Sequence, residues 1–203
     1  MNKYIQLLSI LLLLIIFIFI TAKSYATTVS SDLKDNFFRL HIIANSDSNI
    51  DQELKLKVRD KVLEYMSSLD YKSLSKQEVI KITKENLTNI ESIAQKTILE
   101  NGFNYSISSA INTTYFPTKY YGNISLPAGY YDSLIIKIGN ANGQNWWCSL
   151  FPPLCFIDIS SGVIDDESSS NLQKNLSPEE FNIITSDSKP IKIKFKLVEL
   201  LSK

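Results

Sequence analysis

The stretch Phe37-Phe38-Arg39-Leu40-His41-Ile42-Ile43-Ala44, continued by Asn45-Ser46-Asp47-Ser48-Asn49, decides the fold. Its first part is short, apolar and β-branched toward the end, the composition of a mostly buried strand. The second part cannot extend that strand. Asn, Ser and Asp side chains compete with the backbone for hydrogen bonds, so they turn chains and cap helices, and Ser48 with Asp51 has the spacing of a capping box. A helix is therefore predicted next. Leu54, Val58, Val62, Tyr65, Met66 and Leu69 recur at three- and four-residue steps, while Lys55, Lys57, Arg59, Asp60 and Glu64 fill the other face, so the helix packs one side on a core.

Toward the C-terminus a second helical run opens at Ser75, again with an acid three residues on at Glu78. It carries Val79, Ile82, Leu87, Ile90, Ile93, Ala94 and Ile98 inward, and Gly102 ends it. The run exceeds a typical globular helix, so a bend or break is expected near Asn86. From Tyr105 the period changes to two, with Tyr105, Ile107, Ser109, Ile111, Thr113 and Tyr115 on one face of a strand. Turn residues Pro117, Gly122, Pro127 and Gly129 precede strands over Tyr131 to Ile138 and Trp146 to Phe151, joined by a loop from Gly139 to Asn145. Pro152-Pro153 breaks the ladder and Leu154 to Ile159 resumes it. The polar stretch from Ser160, with Asp165-Asp166-Glu167-Ser168-Ser169-Ser170, reads as a flexible loop over residues 160–180. Ile191 to Leu197 alternates apolar residues with lysine, as a half-exposed edge strand does. Helices first and strands later give an α+β fold: a single domain with two or three helices packed on a largely antiparallel or mixed sheet.

Toward the N-terminus, Met1-Asn2-Lys3 is a short positive start and Leu7 to Ile20 is an apolar run of about 14 residues, the pattern of a membrane-targeting segment. Ser24 and Ala26 are the small residues a signal peptidase requires, so cleavage after Ala26 is expected. The competing reading is an uncleaved anchor, because Tyr4 to Ala22 approaches the roughly 20 residues that span a bilayer. The plan is thus a signal peptide or anchor over residues 1–26, a linker over 27–36 and the α+β domain over 37–203. In either case the domain lies outside the cytoplasm. The chain has 203 residues and no formal net charge, and removing Lys3 and Lys23 leaves a slight acidic excess, which argues against a nucleic-acid partner.

Little catalytic chemistry is legible. The single histidine, His41, lies inside an apolar strand, where it packs or hydrogen-bonds rather than acting as a base. One His and two close cysteines cannot assemble a zinc set. Gly139 and Gly143 lack the lysine of a phosphate loop and read as a tight loop between strands. Asn45, Asp47, Asn49 and Asp51 alternate as in a calcium loop. However, Ile50 replaces its glycine and Leu56 its bidentate acid, so a helix cap is the better account. No metal, cofactor, small-molecule ligand or catalytic residue is predicted. Cys148 and Cys155 either form a disulfide in an exported chain or are buried free thiols held apart on neighbouring strands. Trp146, Trp147, Phe151, Pro152 and Pro153 concentrate large aromatics beside a stiff proline pair. They either pack in the core or expose a partner-binding surface.

These segments resemble the stage II sporulation protein R family. The likeness rests on His41-Ile42-Ile43-Ala44-Asn45-Ser46-Asp47-Ser48, Asp51-Gln52, Leu54-Lys55 and Arg59-Asp60. It continues through Phe116-Pro117-Thr118-Lys119, Tyr121-Gly122, Pro127-Ala128-Gly129-Tyr130-Tyr131, Asn145-Trp146-Trp147-Cys148, Phe151-Pro152-Pro153-Leu154-Cys155-Phe156 and Lys196-Leu197-Val198-Glu199. Two departures stand out: Tyr130 occupies a position where a Glu is expected after Ala-Gly, and the polar linker before the last strand is short. The resemblance implies a non-enzymatic protein exported across the forespore membrane into the space between forespore and mother cell. There it would activate a membrane-embedded aspartic protease that processes pro-sigma-E during endospore formation. It supplies no catalytic residues to carry over. The alternatives are a secreted cell-envelope structural protein and a cell-wall- or lipid-modifying enzyme.

Overall fold

A computed structural model describes residues 3–69, 74–155 and 166–185. In chain order the elements are α1 (Lys3–Asp35), β1 (Phe38–Ile43), α2 (Asn49–Ser68), α3 (Lys76–Glu85) and α4 (Leu87–Glu100). Strands β2 (Ile107–Phe116), β3 (Lys119–Tyr121), β4 (Ile124–Leu126), β5 (Gly129–Ile138) and β6 (Asn145–Phe151) follow, then α5 (Asp166–Asn175) and α6 (Pro178–Thr185). The fold is α+β.

The decisive stretch forms β1, which lies inside a four-stranded sheet of order β2-β5-β1-β6. It runs parallel to β5 and antiparallel to β6, so the sheet is mixed. Strand β2 pairs antiparallel with β5. Alternation divides the sheet into two faces. Leu40 and Ile42 of β1, with their register partners Leu134, Ile136, Trp146 and Cys148, lie on one face. Helix α4 packs on that face, where Glu91 reaches Ser109. Arg39 and His41, with Ser133, Trp147 and Ser149, lie on the other. The β3–β4 hairpin covers part of this second face through Tyr121.

Ser48 caps α2 by accepting the Asp51 N–H. Asp51 does not complete a capping box, because its carboxylate turns back to Asn45 and Ser46. Ser75 and Glu78 do form one at the start of α3. The predicted break falls at Asn86, whose side-chain amide donates to the Ile82 carbonyl between α3 and α4.

Two expectations are corrected. The linker over 27–36 is largely helical: α1 runs to Asp35, since no Gly or Pro interrupts the segment. Its last turn buries Leu33 in the core. The loop expected over 160–180 contains α5 and the start of α6. Leu172, Leu176 and Ile184 recur at four- and eight-residue steps and are buried. Ser177 and Glu180 exchange capping hydrogen bonds at the start of α6. The acidic serine-rich run precedes this sparse apolar stripe, and small polar residues suit loops and helix surfaces alike. Leu154 follows the turn at Pro152-Pro153 and donates its N–H to the Ser149 carbonyl. Most of the strand expected over Leu154 to Ile159, and all of that over Ile191 to Leu197, lie outside the described residues.

Candidate functional site

The chemically distinctive residues cluster along β1 and β6 and at the loops joining their ends. At one end, the loop from Gly139 to Gln144 leaves β5, arches over the end of β1 and enters β6. The Asn-Ser-Asp-Ser stretch receives it. Asn45 accepts the Asn140 N–H through Oδ1 at 3.0 Å, Asp47 accepts the Gln144 N–H at 2.7 Å, and the Ala44 carbonyl accepts the Gly143 N–H at 2.9 Å. Lys55 closes the clamp from α2 by donating to the Gln144 carbonyl at 3.0 Å. Gly139 holds a left-handed φ of 55°, and a Cβ at Gly143 would lie 2.2 Å from the Ser46 carbonyl oxygen. Backbone conformation thus calls for glycine at 139 and close approach calls for it at 143. Burial works against charge on Asp51, yet hydrogen bonds from Ser46, Asn45, Tyr105 and Ser48 hold its pKa below the ordinary carboxylate value.

On the second face, His41 stacks on Trp147 with ring centroids 3.7 Å apart, and Phe116 meets Trp147 edge-on at 4.7 Å. Nε2 of His41 lies 2.7 Å from Asn145 Oδ1, while Nδ1 is buried without a partner among the described residues. Burial lowers the His41 pKa, the Asn145 contact opposes that shift, and Lys137 adds to it. The imidazole is a packed ring, as expected.

Beside it lies a group that sequence reasoning missed. Arg39 is fully buried. Its guanidinium sits 4.5 Å from the Phe116 ring centroid and 5.0 Å from that of Tyr131. Nε donates to the Cys148 carbonyl at 2.8 Å and Nη2 to Tyr121 Oη at 2.7 Å, while Nη1 is unpaired among the described residues. Tyr121 in turn donates to the Trp147 carbonyl at 3.2 Å, so one polar chain joins β1, β3 and β6. Burial lowers the Arg39 pKa against the opposing influence of Tyr121 and Tyr131, and burial pushes Tyr131 up to about 12. An arginine within an otherwise apolar strand was the available signal, because such a residue must find a cage or a partner.

The structure separates the five aromatic and proline residues considered as one surface. Successive strand residues point to opposite faces, so Trp146 and Trp147 cannot share one. Trp146 lies on the helix face, with the Arg59 guanidinium 4.2 Å above its ring, and Trp147 lies on the other with His41. Both are half-buried, and Pro153 is too. Phe151 and Pro152 are buried, so their role is packing. Cys148 and Cys155 are joined in a disulfide with Cα atoms 5.2 Å apart. Among the described residues no group of three or more His, Cys, Asp and Glu side chains is arranged to hold a metal ion. Helix α1 is apolar and long enough to cross a membrane over Lys3–Thr21.

Together these features define a class: an α+β domain behind an N-terminal apolar segment of signal or anchor type, with its distinctive residues committed to a loop clamp and an aromatic cage. The family model for stage II sporulation protein R matches residues 34–161, which span the clamp, the cage and β6. A relative, the stage II sporulation protein R of Bacillus subtilis (strain 168), is 36% identical over 183 residues, covering 84% of this chain and 82% of the relative. The chain belongs to the stage II sporulation protein R family. No solved structure matches it.

Proposed function

We propose that this chain acts in sporulation as an exported forespore signal that activates a membrane-embedded aspartic protease of the mother cell, leading to processing of pro-sigma-E. The observation that carries the reading is the family match across residues 34–161, which includes both the Asn45–Ser48 clamp and the Trp146-Trp147-Cys148 strand. The N-terminal apolar helix suits export into the space between the two cells. Activation on this reading is by contact. On this reading the contact surface is the outer edge of the sheet at β6, flanked by Trp147 beside His41 on one face and by Trp146 beneath Arg59 on the other, with Pro153 at its end. A half-exposed indole on a rigid strand offers a large apolar area at low entropic cost.

The test is co-expression of the full chain with the protease and the sigma-factor precursor in a non-sporulating host, scoring precursor cleavage by size. Cleavage that depends on this chain and on its N-terminal segment supports the reading. Equal cleavage without it points instead to an envelope component or an envelope-modifying enzyme. Trp147→Ala and Trp146→Ala, checked for retained folding by thermal unfolding, should each reduce cleavage. Undiminished cleavage in both would remove β6 as the contact surface.

A further inference from the structure

Strand β2 forms an outer edge of the four-stranded sheet, with no strand neighbour beyond it among the described residues. Within the sheet, the Gly139 N–H bonds the Ser106 carbonyl, which sets the hydrogen-bonding parity of the β2–β5 ladder. Even-numbered residues of β2 therefore bond β5, and odd-numbered residues turn their N–H and C=O groups outward. One outward group is already used: the Ser109 N–H donates to the Glu91 carboxylate at 2.7 Å. Beyond it, Ile111, Thr113 and Tyr115 have no strand partner on that side among the described residues. Natural edges are usually guarded by lysine, proline or a bulge. Ile107–Phe116 contains no charged residue and no proline, and its register with β5 is unbroken.

We infer that this edge pairs with the same edge of a second copy of the chain, antiparallel about a two-fold axis at Thr113. In that register Thr113 faces the partner copy's Thr113, and Ile111 faces the partner copy's Tyr115. Each pair exchanges both its N–H···O bonds, because all three residues have outward backbone groups. Thr–Thr and aromatic–β-branched pairs are among the favourable cross-strand combinations, and no like charges meet. On the other face Asn112 lies across from the partner copy's Thr114. Thr113 and Asn112 are exposed and Tyr115 is 53% exposed, and no strand among the described residues covers this edge. Two-fold pairing of identical edges forms a closed dimer.

The test uses the full chain in detergent micelles. Both native cysteines are bridged, so a cysteine introduced by Thr113→Cys is the only free thiol. Under mild oxidation it should form an intermolecular disulfide at least about tenfold faster than one introduced by Ser108→Cys, which is exposed on the same strand but out of register. In sedimentation, Thr113→Lys should weaken dimerisation at least about tenfold by facing a like charge across the axis. The inference is overturned by a wild-type chain that remains monomeric, or by a dimer unaffected by Thr113→Lys, which would place association elsewhere, α1 included. It is equally overturned by a slow Thr113→Cys thiol, as expected if another segment of the same chain covers the edge.

Discussion

The His41 imidazole lies flat against the Trp147 indole, ring planes 20° apart, with one nitrogen held by Asn145 and the other buried without a partner among the described residues. Protonation would place a charge and an unpaired donor in this stack. Burial accordingly sets the folded-state pKa below the ordinary value of 6.5. A group with a depressed folded pKa contributes stability above its unfolded pKa and loses it as pH falls. Stability should therefore decline as pH drops through about 6.5 toward the folded pKa. Because His41 is the only histidine, His41→Phe should flatten this decline in urea denaturation at stepped pH. An unchanged slope in the variant would assign the effect to carboxylates.

Arg39 tests whether a buried guanidinium can be held by aromatic faces and neutral oxygens. Removing it leaves a large void and takes a donor from the Cys148 carbonyl and from the Tyr121 hydroxyl, so Arg39→Ala should cost about 3–5 kcal/mol. Arg39→Met refills the volume without a charge and should recover more than half of that loss. Equal destabilisation by the two variants would mean that the charge, not the volume, is what the cage requires.

The clamp around β1 makes a sharp prediction at Gly143. A methyl there meets backbone, not a movable side chain, at 2.2 Å from the Ser46 oxygen. Gly143→Ala should lose about 2 kcal/mol or more. At Gly102 a Cβ meets nothing within 4 Å, and the φ of 83° is the sole obstacle. Gly102→Ala should cost about 1 kcal/mol. Thermal unfolding of the pair ranks them, and a reversed order would contradict the close approach.

The Cys148–Cys155 bridge closes a short loop. Replacing both cysteines by serine should lower stability by about 2.5 kcal/mol through the entropy regained by the unfolded chain. Denaturation of the wild type with and without reductant should reproduce the difference. A loss near zero would show that the turn at Pro152-Pro153 already restrains the unfolded chain.

Periodicity and turn chemistry were enough to reveal β1, the capped α2, the break at Asn86 and the strands that became β2, β5 and β6. Each depends on neighbours within a few residues, and local spacing reports them. The apolar N-terminal segment and the family resemblance were legible for the same reason, being carried by contiguous residues. The extent of α1 beyond Ala26 and the helices that begin within 160–180 were obscured because small polar residues suit both loops and helix surfaces, and burial of Leu33, Leu172 and Leu176 decided between them.

Strand order belonged to tertiary structure. Nothing local states that β1, first in sequence, inserts between β5 and β6, and only that insertion explains why Asn45 must receive the loop from Gly139. The same insertion brings Arg39 beside residues from three other strands, Phe116, Tyr121 and Tyr131. It also sends the adjacent tryptophans to opposite faces: Trp147 against His41, Trp146 beneath Arg59. The sequence alone determined which segments could bury an apolar face. Which faces met was decided by long-range packing, since contacts between residues far apart in the chain leave no period to read.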